Sequence, residues 1–471
     1  MKVLLLVPDG VGIRNYLYSD FLSELTKLGA TIHLYHKVSD AAIKEIATLH
    51  SEVLCDEIPT FIEEPLPRFL RETTAYARLV NSSKKLDNKS VLDFWIIRPK
   101  TIKQKVLYKG AVLLGKWLSN HYKLIKKCEK IYNQEIKKSI AYKNCITDLK
   151  KIKPDLVLNL HQRASNTAPI ILAAESLGIK TATVIFSWDN VPKGRLISRP
   201  NFYFVWSDLM KHELSLLYPE IEEKQIFVVG SPQFEFYKKS AFYFEKEVFF
   251  KKYGLNVNKK TICYSGDDIA SSPYDQIYLQ DLCDQIMLLP EEKRPQIIFR
   301  RCPVDFSNRF DEVLKKYDFL IKEIKPDWRV EKNSDINSFS LIYPAHNDLY
   351  LLVNTCLHSD LVINLGSTMA HDFAVFDKPC LYLNYNPIID SKWSVEKIYA
   401  FQHFRSMKGL NAVSWINNKE EFIEKVLHCI EKPQEVGTDR KKWFEKILKH
   451  PIENNSVELA NLIITKCTSV S

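Results

Sequence analysis

The chain has 471 residues, of which 46% are hydrophobic and 26% charged, with a formal net charge of +9. That length exceeds one ordinary core and implies about two to three domains, and the balance is that of a globular protein rather than a disordered or fibrous one. Only 13 glycines and no Gly/Ser tract exclude long flexible linkers, and no run approaches the roughly 18–20 apolar residues that cross a bilayer.

The N-terminal apolar run Val3–Val7 stops at Pro8-Asp9-Gly10, short of a signal core of roughly 7–15 residues with a cleavage site. A buried β-strand in a cytoplasmic chain is expected. Gly10-Val11-Gly12-Ile13-Arg14-Asn15 reads as the loop after it, 18–28 as a helix closed by Gly29-Ala30, and 31–35 as the next strand. This β-loop-α-β unit opens a parallel sheet. Residues 40–150 read as mostly helical. Within them, 98–138 carries twelve lysines and arginines against Glu129 and Glu135, a local balance of +10 that accounts for the whole excess. Interleaved Val106, Leu107, Leu113, Leu114, Trp117 and Leu118 make this insertion amphipathic. Two readings follow: a helix packed by its apolar face with solvated lysines, or a segment lying on an anionic membrane surface. No nucleic-acid-binding motif accompanies the charge, so no nucleic-acid partner is expected.

The strand-helix alternation resumes at 155–160, followed by His161-Gln162-Arg163, a helix at 168–177, a strand at 181–186 and then Ser187-Trp188-Asp189-Asn190. Strands at 202–206 and 226–229 complete a first domain, 1–240. A second, 241–471, has strands at 261–265, 296–301, 361–364 and 380–383 and helices at 274–289, 349–356 and 369–376, with an irregular Asp/Asn-rich stretch after 301. The last stretch, 440–466, is helical with Pro451 as an interruption, and its helices are expected to pack back across the cleft between the domains. Ligands bind beyond the carboxyl ends of strands in open parallel sheets, which directs attention to these loops. The ten cysteines are scattered, with no CxxC pair and no Cys/His cluster at ligand spacing, so reduced thiols and no zinc site are expected.

The densest signal runs from Ser359 to Leu383. A buried strand enters Gly366-Ser367-Thr368 and a helix begins there. Backbone N–H groups, the helix dipole and two hydroxyls suit a diphosphate, Gly366 permits close approach, and Asp372 lies one turn beyond Thr368. The same residues also read as a helix cap and a solvated carboxylate.

This strand, Ser/Thr turn, acidic helix and closing Asp377-Lys378-Pro379 together resemble the donor site of GT-B glycosyltransferases. Val228-Val229-Gly230-Ser231-Pro232-Gln233-Phe234 resembles the segment joining the two domains of those enzymes. Ser187-Trp188-Asp189-Asn190 resembles a tryptophan-acid motif of surface-polysaccharide glycosyltransferases and related glycerol-phosphate transferases. The helix carries Asp372 where many members carry Glu. The resemblance implies an α/β protein of two Rossmann-like parallel-sheet domains facing a central cleft, with acceptor on the first and nucleotide-sugar on the second. It implies donor contacts from Gly366, Ser367, Thr368, Asp372, His346 and Ser231, with Arg300 and Arg301 neutralising the leaving diphosphate, and no metal or cofactor.

The activity so implied is transfer of a sugar from a nucleotide-sugar to a glycan or lipid-linked acceptor in surface-polysaccharide synthesis; the chain is expected in the cytoplasm, at the inner face of the plasma membrane if 98–138 lies on the bilayer. The alternatives are a CDP-glycerol-type polyol-phosphate transferase, a nucleotide-sugar epimerase, or an inactive binding protein of the same fold. Inverting transfer needs a base on the first domain. His161 comes first, since it follows a strand and histidine is the residue type suited to proton transfer near neutral pH; Asp9 and Asp189 follow.

Overall fold

The computed structural model describes residues 1–97, 99–330 and 342–468. Among them the chain forms two compact units, one of residues 1–233, 401–403 and the described residues from 447 on, the other of the described residues within 234–400 and 404–446. The expected division lay at 240; in the structure it falls between Gln233 and Phe234, and the end of the chain is part of the first unit.

In the first unit the strands are β1 (Lys2–Val7), β2 (Thr31–His36), β3 (Leu54–Glu57), β4 (Leu156–Asn159), β5 (Lys180–Val184), β6 (Phe202–Val205) and β7 (Ile226–Val228). They form one parallel sheet in the order β3-β2-β1-β4-β5-β6-β7. Parallel strands need crossovers, and these are α1 (Phe21–Lys27), α2 (Asp40–Leu49), the run α3 (Pro65–Lys85), α4 (Ile102–Leu118), α5 (Tyr122–Ile136) and α6 (Ile140–Ile152), then α7 (Ala168–Ser176) and α8 (Asp208–Leu217). Val3 to Val7 are all buried, as a central strand covered on both faces must be. Edge strand β3 is exposed at every residue, and for that reason its sequence lacks an apolar signature.

The second unit holds α9 (Lys246–Tyr253), β8 (Thr261–Ser265), α10 (Asp275–Met287), β9 (Gln296–Arg300), α11 (Asp311–Lys316), β10 (Ile321–Glu323), β11 (Trp328–Val330), β12 (Ile342–Pro344), α12 (Asn347–His358), β13 (Leu361–Asn364), α13 (Met369–Val375), β14 (Cys380–Leu383), α14 (Val395–Tyr399), β15 (Ser414–Ile416) and α15 (Phe422–Glu431). Its main sheet is parallel in the order β10-β9-β8-β13-β14-β15, and β11 pairs antiparallel with β12. The irregular stretch after 301 thus contains α11 and the three short strands β10, β11 and β12, and part of it, 331–341, lies outside the described residues. Helix α16 (Arg440–Ile447) precedes Pro451, and α17 (Asn455–Thr468) follows it in the first unit.

The two sheets share one device at the N-terminal edge. Asp155, just before β4, accepts the Lys2 N–H (2.6 Å), and Asp360, just before β13, accepts the Thr261 N–H (2.7 Å). Each carboxylate satisfies the first donor of the central strand, which has no ladder partner there. The nine cysteines whose side chains are described are free thiols, while Cys467 lies outside the described side chains. No described helix is long and apolar enough to cross a membrane.

Candidate active site

In both sheets the chain runs outward in one direction, returns, and continues in the other. The reversal falls between β1 and β4 in the first unit and between β8 and β13 in the second. The loops leaving the carboxyl ends of two such neighbouring strands diverge and open a crevice, the usual ligand position in this architecture.

At the first reversal stand Asp9, two residues past β1, and His161, two residues past β4. The His161 Nδ1 lies 2.7 Å from the Asp9 Oδ2. The other Asp9 oxygen accepts the Val11 N–H (3.0 Å), so the carboxylate is fixed by its own turn. Asn159, at the end of β4, bonds both the N–H and the carbonyl of His161 (3.1 Å each), and the Phe186 ring meets the imidazole edge-on at 4.8 Å. An ionised carboxylate only accepts, so Nδ1 carries the proton and Nε2 is the basic nitrogen. Two candidates ranked separately from sequence are therefore one hydrogen-bonded pair.

Asp189 stands apart from that pair. Its Oδ1 accepts from the Ser187 hydroxyl (2.6 Å) and Asn190 (2.9 Å), and its Oδ2 from Lys193 (2.5 Å). Burial opposes ionisation, but Lys193 and His403 outweigh it and hold this carboxyl below the usual range. A carboxylate so strongly held is a poor proton acceptor; it organises the loop. Trp188 packs edge-to-face on His403 (4.9 Å), which belongs to the 401–403 tripeptide of the same unit. Arg163 donates to Asn190 (3.2 Å), and burial, with Arg195 adding to it, lowers its pKa to about 10, so it remains a cation. It lines a partly open cavity together with Arg71, Arg78, Arg195 and Arg199.

At the second reversal, Gly366 has φ of 75°, and a Cβ there would lie 2.6 Å from the Phe404 ring, so only glycine fits. The Ser367 N–H is held by Asn364 (2.8 Å), the Leu365 N–H by Asp267 (3.2 Å), and the Ser367 carbonyl accepts from Tyr382 (3.2 Å). Thr368 is exposed and Ser367 half-buried. Asp267, two residues past β8, went unnoticed in the sequence although the strand-end rule applies to it. Burial, with Asp275 and Asp268 beside it, raises its pKa well above the carboxylate range. A neutral carboxyl can donate to an anion rather than repel it.

The remaining donor-side candidates are engaged within their own surroundings. Asp372 accepts the Tyr237 hydroxyl (2.8 Å). Buried Arg300 donates to both oxygens of Asp348 (3.1 and 2.9 Å), which also takes the Asp327 N–H and the Trp328 indole N–H. Arg301 is bound to Glu323 (2.9 Å) and the Ser307 carbonyl (2.7 Å). A buried guanidinium needs such partners, and these arginines tie β9 to its neighbours. His346 opens α12 and packs on Phe242 and Tyr350. Ser231 lies in the first unit and is fully buried, its carbonyl accepting from Asn455 (3.2 Å).

No protein-family model matches the chain, and no curated protein sequence matches it. Solved structures do. The UDP-GlcNAc 2-epimerase of Methanocaldococcus jannaschii aligns over 98% of this chain and 99% of its own at TM-score 0.53 and 14% identity. A glycosyltransferase from Rickettsia africae ESF-5 aligns over 100% and 99% at 0.53 and 13%. The S. aureus MnaA–UDP structure aligns over 100% and 97% at 0.51 and 12%. The chain has the GT-B-type fold that these proteins share.

Proposed function

We propose that this protein of GT-B-type fold transfers a glycosyl group from a nucleoside-diphosphate sugar to a hydroxyl of a glycan or lipid-linked acceptor. The observation that carries the reading is the His161–Asp9 pair at the strand-order reversal of the first sheet. In the step, the acceptor oxygen bonds to the anomeric carbon as the bond from that carbon to the diphosphate breaks, its electrons leaving on the phosphate. The hydroxyl proton passes to the His161 Nε2, and the resulting imidazolium is stabilised by the Asp9 carboxylate. In this proposal the turn 366–368 takes the diphosphate, with Ser367 and Thr368 as hydroxyl donors and Asp267 as a further donor beside it. Asp372 reaches the ribose only alongside its bond to Tyr237.

A second reading, epimerisation of a UDP-sugar, is favoured by the full-length alignment to the M. jannaschii epimerase. One experiment separates them. Purified protein is incubated with UDP-GlcNAc and other UDP-sugars, with and without oligosaccharide and lipid-phosphate acceptors, and both UDP and sugar products are resolved. Transfer predicts UDP release that depends on acceptor. A new UDP-sugar formed without acceptor establishes epimerisation and overturns the transfer reading. In either case Ser367→Ala with Thr368→Ala weakens UDP binding by about 1–2 kcal/mol per lost charge-assisted bond; unchanged affinity removes the nucleotide from this turn.

A further inference from the structure

Helix α4 is oriented against the usual rule. A surface helix turns its large apolar residues to the core and its polar ones to water. Here the buried positions are Ala111, Gly115 and Leu118. Gly115 sits so close to α3 that an added Cβ would lie 2.8 Å from the Thr73 carbonyl oxygen. Ala111 and Gly115, with Leu118 at the last turn, thus seat the helix, and four large residues face outward: Ile102 is 79% exposed, Val106 65%, Leu113 73% and Trp117 54%. At 3.6 residues per turn these four positions fall on one stripe. Lys105, Lys109 and Lys116, all exposed, form the row beside it, and α5 exposes Lys123, Lys126, Lys127 and Lys130.

The negative charges of this region are paired. Glu129 is bound by Arg78 (2.9 Å) and Arg199 (3.0 Å), and Arg78 is itself buried on α3. Glu135 pairs with Lys138 (2.6 Å). The sequence left open whether the apolar side of 98–138 packs inward; on α4 the packed side is the small-residue side.

We infer that the outward face of α4 docks on an anionic lipid bilayer, with Ile102, Val106, Leu113 and Trp117 in the headgroup–acyl boundary and the flanking lysines on the lipid phosphates. An apolar stripe bordered by lysines, with an indole among them, matches the interfacial zone of a bilayer in both polarity and charge. A second copy of the chain is a poorer occupant, because it brings another row of lysines and the described part of this face has no free carboxylate to meet it.

The test is vesicle co-sedimentation of the full chain with phosphatidylcholine alone and with phosphatidylcholine containing about a third phosphatidylglycerol. Binding is expected to the mixed vesicles only. Lys105→Gln, Lys109→Gln and Lys116→Gln together should weaken it on the order of a hundredfold. Leu113→Gln with Trp117→Gln should abolish it while the circular dichroism spectrum is unchanged, since both side chains are exposed. The fluorescence difference between wild type and Trp117→Phe should shift to the blue on binding. Failure of the wild type to bind mixed vesicles, binding undiminished in both variants, or conversion of a dimer to a monomer by the stripe substitutions would each overturn the inference.

Discussion

Replacing Asp9 by Asn isolates the role of the carboxylate without changing its shape. Asp9 uses one oxygen for the Val11 N–H and the other for His161 Nδ1. An asparagine has one oxygen for these two donors. If its oxygen stays on Val11, its amide N–H points at Nδ1, and the imidazole must move its proton to Nε2, where it blocks acceptance from the substrate. If the amide turns over, the turn loses its bond and the charge is still gone. Either way a charged hydrogen bond worth about 1.5–3 kcal/mol is lost from the imidazolium that forms in the transition state. That converts to a fall in kcat of about 10- to 150-fold, with the KM for the nucleotide-sugar little changed because the loss is made only on the way to the transition state. The assay is initial rate against donor concentration, with UDP affinity measured separately by calorimetry. A kcat within about threefold of wild type would refute the pairing as a catalytic device, and a matched loss of UDP affinity would show damage beyond the base.

Glu213 gives a test of buried charge. Burial raises its pKa from about 4.5 to about 7, with Asp189 adding and the Gln402 amide (3.4 Å) opposing. The fold favours the neutral acid, so the ionisation penalty is absent below the ordinary carboxyl value, grows as pH rises toward 7 and is complete above it. The full penalty is about 3 kcal/mol, of which about 1 is already present at pH 5.5. Glu213→Gln should therefore gain about 2 kcal/mol on wild type between about pH 5.5 and 8.5 by calorimetric unfolding; a pH-independent difference rejects the buried acid. Gly230 has φ of 75°, and a Cβ on it would lie 2.3 Å from the Asn455 side chain. Gly230→Ala should cost about 2–4 kcal/mol from strain and overpacking, whereas the same change at Gly29, where no atom lies within 4 Å of an added Cβ, should cost only the backbone term. Equal losses in thermal melts would show that Asn455 is not the obstacle.

The central strands were plain in the sequence because they are buried on both faces: 261–265, 361–364 and 380–383 match β8, β13 and β14. The edge strands β3, β10 and β15 were missed, being short or exposed and so without an apolar run. At the site, strand-end position sufficed to find Asp9 and His161, but not that they touch, since their separation along the chain says nothing of sheet order. Asp377-Lys378-Pro379 has a structural role as well as a family likeness. The Lys378 ammonium binds the carbonyls of Cys356 (2.9 Å), Leu357 (2.5 Å) and Ser359 (2.5 Å), closing the C-terminus of α12. Arg300 and Arg301 looked like anion-binding cations because a sequence does not show which carboxylates will meet them.

The return of the chain to the first unit from residue 447 on bears on how the protein is made. Lys449 bonds the carbonyls of Trp206 and Val228, and Asn455 that of Ser231, so the β6–β7 edge acquires its last partners from chain translated more than two hundred residues later. At the usual rate of about 5–20 residues per second, the nascent first unit waits at least about ten seconds, with that edge uncovered, while the second unit emerges. During translation the segment around Gly230 is therefore a natural site for chaperone capture, and it ceases to be one when α17 arrives.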